Sequence, residues 1–242
     1  MKLLVLLILA HLIGDFPAQA GKWVADKKIN KARSPYLYLH VAIHGVLATL
    51  ALIIAGQTEY WPLVLIITLG HLGIDLLKLY RQDQTNHIRW FIADQLLHLL
   101  LIITAWALVT GQVMRVLSFL KSDYFLIHIT AVFFLTQPLS IIIAKLMDKW
   151  IPYIDDAAST KALPKAGMYI GMLERVFAYG LIMTGNWSGI GFLLAAKSVF
   201  RFGDLRQAHD RKLTEYILIG SLLSFGTAAA VALLAENLLN LK

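Results

Sequence analysis

Apolar segments close to membrane-spanning length recur along this chain. The first four of them each carry two metal-ligand side chains four positions apart: His11/Asp15, His40/His44, His71/Asp75 and Asp94/His98. Residues i and i+4 of a helix share one face, about 6 Å apart along the axis, so both can reach one ion. Four consecutive helices of this kind could enclose a site of five imidazoles and three carboxylates. Burying such groups in an apolar setting is costly unless they serve one another or a metal.

With 58% hydrophobic and 15% charged residues, the sequence is too apolar for a soluble domain of 242 residues. The apolar segments are 3–18, 35–55, 61–79, 90–110, 124–146, 167–184, 188–200 and 216–239. They predict an all-α polytopic integral membrane bundle of about eight transmembrane helices, or seven if one of the short first and seventh segments does not cross. Residues 1–110 form a four-helix half carrying the ligand pairs, and 111–242 a second transmembrane half; the two read as one integrated membrane domain.

Basic residues set the orientation. Lys22, Lys27, Lys28, Lys31 and Arg33 fill the first connection, Lys78, Arg81 and Arg89 flank the third, Lys145, Lys149, Lys161 and Lys165 the fifth, and Lys197, Arg201, Arg206, Arg211 and Lys212 the seventh. The second and sixth connections, around 57–60 and 185–187, have no Lys or Arg, and 111–123 has only Arg115 and Lys121. Odd connections are therefore expected in the cytoplasm and both termini outside. The net charge of +7 then reflects topology and an anionic lipid surface. It does not point to nucleic acid, for which a soluble basic face with interleaved aromatics is missing.

Lys2, the apolar run after it and Ala18-Gln19-Ala20 have the outline of a cleavable signal peptide. His11 and Asp15 inside that run argue that it is retained as a span. Zero cysteines exclude disulfides, thiolate ligands and thiol catalysis.

Orientation and spacing together place all eight ligand candidates at a similar depth, near the cytoplasmic boundary. A lone membrane His or Asp is commonly an interhelical hydrogen-bonder or part of a proton relay. Four pairs at one depth point to a metal, because a divalent ion compensates buried carboxylates. Imidazole with carboxylate suits Zn²⁺ first, with Mn²⁺ or Fe²⁺ as alternatives, rather than Ca²⁺ or Mg²⁺. Eight ligands exceed what one tetrahedral ion takes, so either two ions share the site or some groups orient others. Gln19, Lys78 and Gln95 extend the same polar ends, and Lys78 is expected to pair locally with Asp75 or to snorkel. Gly14, Gly70 and Gly73 are expected to permit close helix packing.

The second half lacks such pairs. Glu174 and Arg175 read as a structural ion pair or, with Lys197 and Arg201, as part of a pocket for an anionic substrate group. Pro138 should kink the fifth span. His128 reads as an interhelical hydrogen-bonder, and 148–165 as a polar connection able to act as a cytoplasmic lid.

The stretches HLIGDFPAQ, HVAIH, HLGIDLLK and DQLLH, and later AAKSVFRFGDL and EYILIGSLLSFG, resemble an uncharacterised bacterial membrane family, the domain of unknown function numbered 3307. The resemblance spans nearly the whole chain and implies no particular activity. Its His/Asp pattern is loosely similar to that of inner-membrane metal-dependent hydrolases, which implies a bacterial inner-membrane location.

The function expected from these residues is metal-dependent hydrolysis of an ester or phosphoester in a lipid or amphipathic substrate at the cytoplasmic interface. One of Asp15, Asp75 or Asp94 could serve as general base. A metal-ion or proton-coupled transporter would use the same groups, but it needs polar groups along a path to the outside, where spans two to four read as Leu, Ile, Val and Ala. A di-iron membrane oxidase fits His40/His44 but lacks adjacent His-His doublets.

Overall fold

The computed structural model describes residues 1–153, 165–202 and 211–240, and these are helical with no strands. The helices are α1 (Lys2–Asp15), α2 (Gly21–Asn30), α3 (Pro35–Ala55), α4 (Pro62–Arg81), α5 (His87–Val109), α6 (Val113–Leu120), α7 (Asp123–Leu135), α8 (Gln137–Met147), α9 (Ala166–Met183), α10 (Trp187–Phe202) and α11 (Arg211–Asn240). They form two compact units, Met1–Ser118 and Phe119–Lys242.

All eight apolar segments are helical. Among the described residues, five helical stretches are long and apolar enough to cross a membrane by length and composition: Pro35–Ala55, Thr58–Arg81, His87–Val109, Asp123–Pro152 and Thr214–Asn240. The first expected span ends early, at Asp15. Its 14 residues rise about 21 Å against a hydrocarbon core of roughly 30 Å.

At the level of the ligand pairs, the first unit is turned inside out relative to a water-soluble bundle. His40, His71, Asp94 and His98 are at most 1% exposed, whereas Leu69, Leu96, Leu100 and Leu108 are more than half exposed. Apolar side chains facing outward around a polar interior are what lipid contact requires. Proline at the start of both α3 and α4 presets the first helical turn, and Gly56 in the left-handed region, at φ 71°, ends α3.

Between α4 and α5, Asp83 accepts hydrogen bonds from the backbone of Thr85 (2.7 Å) and Asn86 (3.0 Å) and from the Thr85 hydroxyl (2.6 Å). The Thr85 hydroxyl and backbone N–H hold its carboxyl below the usual carboxylate range. This tight turn sets α4 antiparallel to α5, so that the last turns of α4 face the first turns of α5.

Two elements depart from the sequence reading. The first connection, expected to be a loop, contains α2, braced by a hydrogen bond from Asn30 to Asp26 (2.7 Å) and by a close contact from the Ser34 hydroxyl to Asp26. The fifth segment, expected to kink, is broken outright at Thr136 (φ −85°, ψ −117°). Pro138 has no N–H to continue the ladder and instead opens α8.

In the second unit, Ala131, Leu135, Ala178, Tyr179, Ile182, Phe225, Ala228 and Ala232 form the core between α7, α9 and α11. Part of the proposed lid, including Asp155, Asp156 and Pro164, lies outside the described residues.

Candidate metal centre

Each i, i+4 pair contributes one face of a helix in the first unit: His11 and Asp15 from α1, His40 and His44 from α3, His71 and Asp75 from α4, Asp94 and His98 from α5. The four faces converge. His71 is central, its ring 3.7 Å from that of His44 and 4.0 Å from that of His98 by centroids, with its Nε2 3.1 Å from Nε2 of His40. Asp15 Oδ1 lies 3.1 Å from His44 Nε2, 3.3 Å from His40 Nε2 and 3.6 Å from His71 Nε2.

Three groupings bring ligand atoms within 4.8 Å of one another: His11, Asp15, His44 and His71; His40, His71 and Asp75; and Asp15, Asp94 and His98. Asp15 and His71 each belong to two of the three. All eight sequence candidates are thus gathered in one place, within one unit.

The three carboxylates divide their oxygens. Asp15 turns Oδ1 to the histidines, and its Oδ2 accepts from Gln95 Nε2 at 2.6 Å. Asp75 accepts from Lys27 Nζ at Oδ2 (3.1 Å), and its Oδ1 is 3.9 Å from His71 Nε2. Asp94 accepts from Lys78 Nζ at Oδ2 (2.8 Å), while its Oδ1 is 3.7 Å from His98 Nδ1. One oxygen of each is fixed by an amide or ammonium, and both oxygens of Asp75 lie near imidazoles, Oδ2 at 3.7 Å from His40 Nε2. Outer donors of this kind orient ligands around metals.

The donor set fits a divalent transition ion on a second ground. Both ring nitrogens of His11 and of His98, and Oδ1 of Asp94, are buried without a hydrogen-bond partner among the described residues. A buried polar atom left unpaired costs about 1–3 kcal/mol, and coordination satisfies it. Nitrogen and carboxylate oxygen donors at this density are the set that Zn²⁺, Mn²⁺ or Fe²⁺ takes.

Lys27 and Lys78 depart from the sequence expectation, while Gln19 joins the polar cluster as expected. Lys27, read only as an orientation signal, reaches back from α2 to Asp75 and is 5% exposed. Lys78 pairs across helices with Asp94 rather than with Asp75, three residues before it on the same helix. Gln19 meets the His40 ring at 3.0 Å.

Gly14 does permit close packing: a Cβ there would strike the His44 ring, which is stacked on His71 and cannot swing freely. Gly70 plays the same part against Leu101, at 2.5 Å, but Gly73 has nothing within 4 Å of a built Cβ. Gly14→Ala is therefore expected to lower stability by about 1–3 kcal/mol through overpacking and to displace His44. Gly73→Ala should be neutral or slightly stabilising. Thermal unfolding of the two variants side by side checks this, and equal melting temperatures would contradict it.

The chain belongs to the family described as protein of unknown function (DUF3307), whose profile matches residues 3–127. That DUF3307 match contains all four pairs, together with Lys27, Lys78 and Gln95. No curated protein and no solved structure matches the chain.

A cavity of about 380 Å³ opens onto the carboxylate side of the cluster, lined among others by Asp15, Asp75, Asp94, Gln95, Lys27 and Lys78. Of the three residues expected to form an anionic-group pocket in the second half, Arg175 and Lys197 have protein partners among the described residues. Arg175 is 3% exposed and its guanidinium is committed to Leu135 O, Thr136 O, Ser140 and Ser224. Glu174 pairs with Lys197 (2.6 Å) and not with Arg175. Arg201 lies on α10 with its side chain outside the described residues. Arg175 thus has a structural task, since the break at Thr136 frees carbonyls that it satisfies. His128 Nδ1 meets the Tyr179 hydroxyl at 2.6 Å, an interhelical bond as expected.

Proposed function

We propose that this chain is a membrane-embedded, metal-dependent hydrolase that cleaves an ester or phosphoester of a lipid or amphipathic substrate. The observation that carries the reading is the single buried cluster of five histidines and three aspartates with a cavity at its carboxylate side. A divalent ion held there by His11, His44, His71 and Asp15, or two ions shared with His40, Asp75, Asp94 and His98, would supply a Lewis acid and a nucleophile from water at neutral pH.

The chain's own residues supply the rest. Asp15, Asp75 and Asp94 all line the cavity, so whichever of them is not fully engaged as a ligand can take a proton from water. Gln95, Lys27 and Lys78 hold these carboxylates in fixed orientation, which keeps the reacting groups placed.

The transporter alternative uses the same ligands but needs a polar route across. Along each of α1, α3, α4 and α5 the turns beyond the ligands bury Leu3, Leu7, Ala48, Leu52, Leu63, Ile67, Ile102 and Trp106. That apolar plug favours chemistry at one face over passage.

The charge asymmetry of the connections supports an inner-membrane orientation with the site facing the cytoplasm, both termini outside and about eight crossings. A cysteine at exposed Lys28 should be shielded from membrane-impermeant reagents in intact cells, and one at exposed Thr58 should react. Outside labelling at Lys28 would reverse the orientation. Hydrolysis is tested on purified protein with defined Zn, Mn or Fe content against a panel of carboxylic and phosphoric esters. Metal-loaded protein with no turnover on any ester, but with metal flux in proteoliposomes, would replace the hydrolase with the transporter.

A further inference from the structure

We propose that the substrate is a phosphate ester whose anionic group is bound between Lys27 and Lys78 in the cavity over the His/Asp cluster; this narrows, and rests on, the hydrolase reading. The two lysines come from different elements, Lys27 from α2 and Lys78 from α4, yet both residues line the one cavity. Each is fixed by one carboxylate oxygen, Lys27 at 3.1 Å from Asp75 and Lys78 at 2.8 Å from Asp94. An ammonium has three N–H donors, so each keeps donors for an anion. Lys28 lines the same cavity, and adds a third cation on the approach.

Charge decides between a neutral and an anionic substrate. Among the groups next to the ligands, leaving out exposed Lys28 on the approach, Asp15, Asp75 and Asp94 against Lys27 and Lys78 leave one net negative charge, which repels an anion. One divalent ion turns that into a single positive charge, and two ions into three. A loaded site is therefore electropositive and lined by point-charge donors, which complements phosphate oxygens and has no counterpart in an uncharged carboxylic ester. In the reaction, the water oxygen bonds to phosphorus, the bond from phosphorus to the alcohol oxygen breaks, and the proton lost by water leaves with the alcohol.

The same chemistry could come from a lipid headgroup or from a water-soluble phosphate ester. The full chain in detergent, with its metal content measured, is titrated with inorganic phosphate in one arm and with micelles doped with phosphatidate in the other. Both arms are run with and without added Zn²⁺. Lys27→Gln and Lys78→Gln should each weaken phosphate binding by about ten-fold or more, since a hydrogen bond to a charged group is lost. Because each change also frees a ligand carboxylate from its orienting ammonium, the comparison is made at Zn²⁺ concentrations where measured metal per chain equals that of the wild type. Lys27→Arg and Lys78→Arg should restore binding, which separates lost charge from lost fold.

Tighter binding of phosphatidate micelles than of inorganic phosphate assigns a lipid headgroup, and equal binding a soluble ester. Phosphate affinity unchanged in the double Gln variant, or metal-loaded wild type that binds neither probe, overturns the proposal. Lysine-dependent phosphate binding without any ester turnover would keep the anion site and discard the hydrolase.

Discussion

Alanine at both His71 and Asp75 is expected to abolish metal retention by a protein that otherwise carries one to two transition-metal ions per chain. His71 sits in two of the three ligand groupings and touches the rings of His40, His44 and His98, so its loss leaves no grouping that includes α4. Asp75→Ala alone would confuse loss of metal with loss of fold, because it strands the Lys27 ammonium, paired with Asp75 at 3.1 Å with both side chains under 10% exposed. Breaking a buried pair from one side costs on the order of 3–5 kcal/mol, whereas removing both partners is often close to neutral.

Asp75→Ala combined with Lys27→Met should accordingly recover much of the thermal stability lost in Asp75→Ala while remaining deficient in metal. Elemental analysis and thermal unfolding of the same preparations separate the two effects. Wild-type protein that stays metal-free after growth with Zn, Mn and Fe would falsify the metal centre altogether.

What the sequence makes legible here follows from periodicity. Paired ligands four apart on a helix need only local geometry to share a face, and the positive-inside asymmetry places those faces at one depth. The convergence of His11, His40, His71 and His98 is therefore expected from residue spacing and charge asymmetry taken together. The partners that orient the carboxylates are a different matter. Lys27 reaches Asp75 across 48 positions and Gln95 reaches Asp15 across 80, and no period links such residues.

Lys27 was concealed further by its neighbours, since Lys22, Lys28 and Lys31 make it look like one more orientation charge. Its signal lay in α2, where the Lys27 side chain is turned inward while Lys28 and Ile29 are exposed. Pro138 announced a distortion of the fifth segment, but whether a proline bends or breaks a helix depends on what donates to the freed carbonyls. Here that donor is Arg175, 40 residues from Leu135.

Arg175→Leu is expected to destabilise the second unit by about 3 kcal/mol or more, while leaving bound metal per folded chain unchanged. The guanidinium makes four hydrogen bonds: Nε to Leu135 O at 2.6 Å, Nη2 to Thr136 O at 3.3 Å and to Ser140 Oγ at 2.5 Å, and Nη1 to Ser224 Oγ at 3.2 Å. Four helices meet on this one side chain, since Arg175 lies on α9, Leu135 ends α7, Ser140 is on α8 and Ser224 on α11. Within an apolar setting the carbonyls at the α7–α8 break have no water to turn to, so losing Arg175 leaves them unpaired.

Lysine is a poor substitute because its donors radiate from one atom and cannot span Leu135 O and Ser224 together. Arg175→Lys should recover less than half of the lost stability. Lys197→Gln gives the contrast: its pair with Glu174 is partly exposed, at 25% and 15%, and such pairs contribute about 0–1 kcal/mol. If Arg175→Lys melts with wild type, the fork geometry is irrelevant and the break at Thr136 is held by something else. If Arg175→Leu is stable but loses metal, Arg175 acts on the metal centre and its structural assignment fails.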